Sequence, residues 1–207
     1  MSQGSDKIII ELFGLPGVGK STLGRLLKER HGVKHITATS VTRAEYLGLF
    51  LRYPRSVMAW LVLIIKNYHA TKSLKHLRYN AALLFVAFKK IHQARLAETS
   101  TVVDEGLLQR FLSYSDILLT RKQIEEVIKL SPRGTVIICV NDRVVEKDRY
   151  DQAHDRGSQG SERLERWRSN MATNIATLVT VLKETKSEFY FETATTSIDD
   201  IIKQINI

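Results

Sequence analysis

The stretch Gly14-Leu15-Pro16-Gly17-Val18-Gly19-Lys20-Ser21 matches the pattern G-x-x-x-x-G-K-[ST] at every fixed position. A short β-rich apolar run, residues 7–13, precedes it, and an apolar helical pattern starts at Lys20. Glycines let a backbone wrap closely around phosphate oxygens, and the N-terminus of the following helix adds a partial positive charge. This strand–loop–helix context predicts a phosphate-binding loop rather than a chance glycine-rich turn.

Each part of this loop has an expected role with a nucleoside triphosphate. Lys20 is expected to reach the β- and γ-phosphates, the Ser21 hydroxyl to ligate Mg²⁺, and Thr22 to add a contact near the α-phosphate. The backbone N–H groups of the loop would surround the phosphates as a nest. The predicted cofactor-binding residues here are Gly14, Leu15, Pro16, Gly17, Val18, Gly19, Lys20, Ser21 and Thr22.

A second acidic element is needed to help hold the metal, and Thr101-Val102-Val103-Asp104-Glu105 is the best candidate. An apolar run ends there in two carboxylates. Asp104 is expected to organise Mg²⁺ or to accept a proton from the acceptor's hydroxyl, and Glu105 could do either. Adjacent strand residues point in opposite directions, so we expect only one of the two to face the site. Gly106 would let the chain turn out of the strand.

Strand-like and helical patterns alternate along the whole chain, and the clearest strands are apolar on both faces. This alternation predicts an α/β fold in one domain, 1–207, with a parallel sheet of about five strands covered by helices on both sides. Strands are expected at 7–13, 33–37, 100–103, 135–140 and 189–191. Helices are expected at 20–31, 41–51, 56–70, 73–97, 107–130, from about 169 to 183, and at 198–205 with Thr196 or Ser197 as the cap.

The 207 residues include 31 Lys and Arg against 22 Asp and Glu, a net charge of +9, and 43% are apolar. This composition argues against disorder. The single cysteine, Cys139, excludes an intramolecular disulfide and a cysteine-rich zinc site, and it favours a reducing compartment. The N-terminus lacks the apolar region of a secretory signal, and no uncharged run approaches the roughly 20 residues of a membrane span. We therefore expect a cytoplasmic protein.

The positive charge is concentrated in one segment. Residues 46–97 contain no Asp or Glu but nine Lys and Arg, so the rest of the chain is neutral overall. Solvated helix surfaces are one explanation, and a surface that attracts an anionic substrate, a nucleic acid or an acidic membrane is the other. Within this segment Val57–Ile65 is expected in the core or at a subunit interface, which leaves a homodimer open; a membrane surface is an alternative.

The order of these elements resembles the P-loop nucleoside and nucleotide kinase superfamily, with thymidylate-kinase-like members most similar. The order runs from the phosphate loop through a long helical insert to Val102-Val103-Asp104-Glu105, and then through a strand, an Arg-rich segment and another strand to a final helix. A GTPase is disfavoured because Asn141-Asp142-Arg143 lacks the lysine of its base-reading motif. The resemblance implies a three-layer αβα P-loop NTPase fold, a mobile lid, ATP and Mg²⁺ as cofactors, and an acceptor pocket formed by the 46–97 insert.

The resemblance also implies roles for two later segments. Residues 141–168 would be the lid, in which Arg149 and Arg156 would close over the transferring phosphoryl group and offset its charge. A solvated, salt-bridged helix is the alternative explanation for this charged segment. The turn Glu192–Thr196 would line the adenine pocket through Thr193, Ala194 and Thr195, an assignment based on position in the chain alone.

One departure from the family leaves the acceptor undefined. Thymidylate kinases carry an Asp-Arg pair whose arginine grips the acceptor's phosphate, and this chain has Glu105 in that place. An anionic acceptor would need another cation, with Arg43, Arg52, Arg55 and Arg78 as candidates. The leading hypothesis is a kinase of a small acceptor such as a nucleoside, nucleotide or sugar. A protein that binds or phosphorylates nucleic acid through residues 46–97, and a nucleotide-dependent regulatory ATPase, are the alternatives.

Overall fold

In the computed structural model the described residues are 7–15, 18–37, 40–112, 117–130, 135–140, 161–185, 190–193 and 197–204. They form five strands, β1 Ile9–Phe13, β2 Lys34–Ile36, β3 Thr101–Asp104, β4 Thr135–Cys139 and β5 Tyr190–Glu192. The helices of the described residues are α1 Lys20–His31, α2 Arg43–Arg52, α3 Pro54–Thr71, α4 Leu74–Leu96, α5 Leu107–Leu112, α6 Arg121–Leu130, α7 Ser161–Thr185 and α8 Ile198–Gln204.

The strands form one parallel sheet in the order β2-β3-β1-β4-β5, which confirms the predicted α/β class and parallel pairing. β1 lies between β3 and β4, with Leu12 opposite Asp104 and Phe13 opposite Cys139. Since all strands run in the same direction, their carboxyl ends meet at one edge of the sheet. The loops that follow β1 and β3 are therefore neighbours there.

Helices cover both faces of the sheet because the strands are apolar on both faces. On one face Ile10, Leu12 and Val102 join a core with Leu23 and Leu27 of α1, and α8 completes that core. On the other face Phe13, Val103 and Ile137 join a larger core formed by the helices from α2 to α7. Cys139 is buried in this second core, as expected for a cysteine that acts as a small apolar residue.

The acid-free segment folds into α2, α3 and α4, close to the predicted boundaries. Thr42 and Glu45 begin α2 with a reciprocal capping box. Pro54 occupies the first turn of α3, where its missing N–H costs nothing, so this helix starts at Pro54 instead of at residue 56. No single helix in the described part of the chain is long and apolar enough to cross a membrane; only α2 taken together with 54–66, across a bend of 110°, meets the length and composition criteria.

The prediction of one helix over 107–130 is wrong, because α5 and α6 are separate. Residues 117–120 are not helical, and the side chain of Asn174 fixes them by accepting from Leu119 N at 2.9 Å and donating to Ile117 O at 3.1 Å. Thr120 then starts α6 in a capping box, since its hydroxyl accepts from Gln123 N and the Gln123 side chain accepts from Thr120 N.

The end of the charged segment 142–168 is helical, as the alternative of a solvated, salt-bridged helix predicted. The helix predicted from about residue 169 begins at Ser161, so residues 161–168 of the predicted lid belong to α7. Glu, Arg and Leu are good helix formers, and high charge density alone does not distinguish a loop from a solvated helix. Residues 141–160 lie outside the described residues. The last helix is capped by Ser197, whose hydroxyl accepts from Asp200 N at 3.2 Å.

Candidate functional site

The 14–21 loop connects the carboxyl end of β1 to α1, and its conformation requires glycine at two positions. Gly14 has φ 150°, and a Cβ there would collide with the Val140 carbonyl oxygen at the end of β4. Gly19 has φ 93°, in the left-handed region that L side chains rarely adopt, and it is the N-cap of α1. A glycine N-cap has no side chain to occupy the first N–H groups of the helix, and the first turn contains no acid.

Lys20 lies over this loop with only 8% of its surface exposed. Its ammonium donates to the carbonyl oxygens of Gly14 at 3.1 Å and Leu15 at 2.7 Å. Burial lowers the pKa of Lys20 to about 8, although the nearby Glu105 and Asp104 carboxylates act to raise it. A partly desolvated cation therefore lies directly beside the glycine-rich backbone.

Asp104 ends β3 and faces the first turn of α1. The Ser21 hydroxyl donates to Asp104 Oδ2 at 3.2 Å, so the two predicted metal ligands are in contact. On its other side Asp104 meets two basic groups. His35 Nε2 lies 3.3 Å from Oδ1, and Lys90 Nζ donates to the Asp104 carbonyl at 2.8 Å and lies 3.7 Å from Oδ1. The parallel pairing of β2, β3 and β1 brings these groups together.

The oxygen donors of Ser21 and Asp104 fit Mg²⁺ in chemical type. Mg²⁺ prefers hard oxygen ligands and is usually held by one or two carboxylates together with phosphate oxygens and waters. Among the described residues, no group of three or more His, Cys, Asp and Glu side chains is arranged to hold a metal by itself. A metal here would accordingly depend on a bound phosphate for its remaining ligands.

Glu105 is not part of the strand. Its φ of 53° turns the chain away from β3, and its carboxylate binds Arg110 of α5 at 2.6 Å. The Glu105 side chain is 48% exposed, whereas that of Arg110 is 13% exposed. The two consecutive carboxylates thus have different surroundings: Asp104 contacts the loop helix and Glu105 is held by a guanidinium at the edge of the site.

A buried carboxylate supports this arrangement from below. Glu11 in β1 is fully buried and accepts from Leu108 N at 2.6 Å, at the start of α5. A Cβ at Gly106 would come within 2.5 Å of Glu11 Oε1, so glycine is needed there to make room for the carboxylate. Burial raises the pKa of Glu11 to about 7, against the opposing effects of N–H groups of α5 and of Lys90.

α5 also contacts the glycine-rich loop directly. The buried Gln109 side chain accepts from Gly14 N at 3.0 Å. Gln109 and Arg110 are consecutive, so one short helix holds the beginning of the 14–21 loop with one residue and Glu105 with the next. The position of this helix is in turn fixed by Glu11.

The structure brings together most of the predicted site residues that it describes. Val18 is buried and Leu15 and Thr22 are exposed on the loop and helix α1. Thr193 N donates to Cys139 O at 3.1 Å, which places Thr193 at the same edge of the sheet, where β4 and β5 end. Six predicted residues lie outside the described residues: Pro16, Gly17, Arg149, Arg156, Ala194 and Thr195.

Sequence reasoning missed five residues of this site: Glu11, His35, Lys90, Gln109 and Arg110. Lys90 was grouped with the surface charges, but it is buried and its pKa is lowered by that burial. An acid inside the apolar run Ile8-Ile9-Ile10-Glu11-Leu12 was a usable signal, because a buried charge needs partners. The pattern carried no comparable signal for the others.

No protein-family model matches the chain, and no curated protein is significantly similar to it in sequence. A function therefore has to be inferred from the geometry of the site itself.

Proposed function

We propose that the protein is an ATP- and Mg²⁺-dependent kinase with a P-loop NTPase fold that phosphorylates a small acceptor. The observation that carries this proposal is the contact of Ser21 with Asp104 at 3.2 Å beside the buried Lys20. A hydroxyl, a carboxylate and a cation converge there on a glycine-rich loop at the N-terminus of a helix. Ligands of open parallel sheets bind at the carboxyl ends of the strands, which is where this group lies.

The phosphate grip is assigned to Lys20 and the 14–21 backbone. The first N–H groups of α1 are free of a side-chain cap from Gly19, and the helix dipole favours an anion at that end. Lys20 already lies 2.7 Å from the Leu15 carbonyl and needs only to rotate towards a phosphate bound in the loop. Its desolvation strengthens its attraction for a dianionic phosphate.

The metal position is assigned to Ser21 and Asp104. When bound there, Mg²⁺ would supply positive charge to the β- and γ-phosphate oxygens of ATP. Asp104 is held in place by Lys90, whose ammonium donates to its carbonyl, and by the proximity of His35. Both groups lie near Oδ1 of the carboxylate, whereas the Ser21 hydroxyl donates to Oδ2.

The acceptor side is assigned to Glu105 and Arg110. Asp104 is committed to Ser21, so Glu105, with about half of its side chain exposed, is the better base for the acceptor. The acceptor's hydroxyl oxygen would attack the γ-phosphorus, the bond to the β–γ bridging oxygen would break to release ADP, and the hydroxyl proton would pass to Glu105. Thymidylate kinases have an arginine at the position of Glu105, and in this chain Arg110 supplies a cation in its place. The other candidates for that role, Arg43, Arg52, Arg55 and Arg78, are exposed.

The direct test is transfer of label from γ-labelled ATP to a panel of nucleosides, nucleoside monophosphates and sugars. We expect one acceptor class to become labelled by the parent, with Mg²⁺ required. Lys20→Ala should reduce the rate by roughly 10³-fold, as loss of a charge that stabilises the transition state does. Lys28→Ala, which removes an exposed lysine of the same helix, is the matched control and should leave the rate unchanged.

Two results would contradict the kinase proposal. One is the absence of a labelled product with every acceptor class. The other is hydrolysis of ATP by the parent with no acceptor phosphorylated, which would instead favour the regulatory ATPase. Full activity of Lys20→Ala would remove the 14–21 loop from the site altogether.

A further inference from the structure

Helix α3 is apolar on the side that faces away from the protein. Met58, Val62 and Ile65 are spaced like one helical face and are 50%, 47% and 50% exposed. The opposite side of the helix packs into the core through Val57, Trp60, Leu63 and Ile64, all buried. A helix that is apolar on both sides normally has both sides covered, and among the residues that the structure describes only one side of α3 is covered.

Cations flank this outward apolar side. Arg55 lies three residues before Met58 and Lys66 lies four residues after Val62, so both project near the same face, and both are exposed. We call these five residues, Arg55, Met58, Val62, Ile65 and Lys66, the α3 outer face. No acidic residue occurs between 46 and 97, and the nearest one before this segment, Glu45, is bound to Lys89 at 2.7 Å. The α3 outer face therefore combines apolar surface with positive charge that no acid within residues 46–97 offsets.

Charge decides between the surfaces that could cover this face. A symmetric contact with a second copy would place the same cations of both copies against each other, with no acid in the segment to separate them. A nucleic acid would satisfy Arg55 and Lys66 but would lay a polar backbone over three apolar side chains. An acidic lipid surface satisfies both, because its headgroups attract the cations and its acyl boundary accepts the apolar side chains.

We propose that the α3 outer face docks the protein on a membrane surface rich in anionic lipid, with α3 lying in the plane of the interface. The buried Trp60 and Ile64 keep the other side of α3 in the core, so the helix lies on the bilayer instead of crossing it. Leu47 and Leu51 of α2 are also exposed, at 61% and 69%, and add apolar surface at the amino-terminal side of α3. This proposal does not depend on the kinase proposal.

The test is co-sedimentation of the full chain with vesicles of phosphatidylcholine alone and with about 30 mol% phosphatidylserine added, which gives the vesicles a negative surface potential. We expect binding to the acidic vesicles that weakens with salt. The triple change Met58→Gln, Val62→Gln and Ile65→Gln should reduce partitioning roughly tenfold or more, because buried apolar area drives interfacial binding. The double change Arg55→Gln and Lys66→Gln should reduce it roughly tenfold and weaken the salt dependence.

Control variants test whether vesicle binding depends on the α3 outer face or on exposed apolar and cationic residues in general. Leu118→Gln removes an apolar side chain elsewhere that is 60% exposed, and the pair Lys28→Gln and Lys203→Gln removes two exposed cations from other helices. Both should bind vesicles like the parent. Lys20→Ala should also bind like the parent, so failure of the kinase assay and failure of this one are distinguishable.

Four outcomes would overturn the proposal. The parent could fail to sediment with acidic vesicles, or the triple variant could bind as the parent does. Alternatively, the parent could fail to bind vesicles and be a dimer in analytical ultracentrifugation, while the triple variant is a monomer. That result would assign the α3 outer face to a second copy of the chain. Binding to a polynucleotide that the double variant loses and the triple variant keeps, without vesicle binding, would assign it to a nucleic acid.

Discussion

Lys20 and Lys90, at the carboxyl edge of the sheet, are buried and donate hydrogen bonds to backbone carbonyls, whereas Arg55 and Lys66, on α3, are exposed to solvent. The same charge has different consequences in the two regions. In the site each lysine ammonium is desolvated and lies near a carboxylate, so its electrostatic energy depends on its distances to a few neighbouring groups. On α3 the cations are solvated and act together, through a field that salt weakens.

The comparison teaches that the net charge of +9 is a poor guide to where specific chemistry occurs. Lys89 and Lys90 belong to the acid-free segment by sequence, but Lys89 binds Glu45 and Lys90 binds Asp104. The segment thus divides its charges between the site and the outer surface. Predictions that contrast the two regions test this division.

The largest expected effect comes from Asp104→Asn. The amide keeps the size of the side chain and one oxygen for the Ser21 hydroxyl but loses the negative charge that would face Mg²⁺. We expect the Mg²⁺-stimulated rate to fall about 10³-fold, equivalent to about 4 kcal/mol in activation free energy, a larger effect than on the free energy of unfolding. Steady-state rates over a Mg²⁺ titration check this. An unchanged Mg²⁺ dependence would place Asp104 outside the site.

The second prediction is that Glu11→Gln changes the free energy of unfolding by an amount that depends on pH. The folded-state pKa of Glu11, about 7, lies above its value of 4.5 in the unfolded chain, so the folded protein holds this proton more tightly and loses stability as pH rises from about 4.5 through 7. Glutamine carries no charge to bury and its Oε1 can still accept from Leu108 N. The variant should therefore be more stable than the parent by about 3 kcal/mol at pH 8 and by only about 1 kcal/mol at pH 5.

Chemical denaturation at several pH values measures this difference. Glu29→Gln, an exposed acid on α1, is the control and should show no such pH dependence. An equal stability gain at pH 5 and pH 8, or a loss at both, would show that Glu11 does not carry a buried charge in the folded state.

A smaller effect contrasts the two regions directly, with Lys90→Gln set against Arg55→Gln. Lys90 is buried, and its loss removes the side-chain donor to the Asp104 carbonyl and a cation beside the Asp104 carboxylate, so we expect destabilisation of about 2 kcal/mol. Arg55 is exposed, and its loss should change the free energy of unfolding by no more than about 0.5 kcal/mol. Equal effects of the two changes on denaturation midpoints would contradict the contrast between the two regions.

The fold and the centre of the site could be predicted because their signals are local. The 14–21 motif, the apolar strand ending at Asp104, and the alternation of strands and helices are all contained in short windows of sequence. The pairing of Ser21 with Asp104 follows once β1 and β3 are neighbours, and a parallel sheet makes that a natural expectation.

What could not be predicted depends on contacts between distant segments. Gln109 reaches Gly14 and Glu11 reaches Leu108 only because α5 packs under β1, and no local pattern encodes that packing. The break between α5 and α6 has the same origin, since Asn174 of α7 stabilises the non-helical residues 117–120. The sequence pattern over 107–130 carries no sign of this contact, so it predicts one continuous helix across these residues.

The central claim is that the 14–21 loop and Lys20 hold the triphosphate of a nucleotide with a metal between Ser21 and Asp104. Calorimetric titration of ATP into the purified full chain, with and without Mg²⁺, measures this most directly. We expect saturable binding that Mg²⁺ strengthens in the parent and in Lys28→Ala, and that is lost in Lys20→Ala while the fold persists. No binding of ATP by the parent with Mg²⁺ present, or equal binding by Lys20→Ala, would contradict the claim.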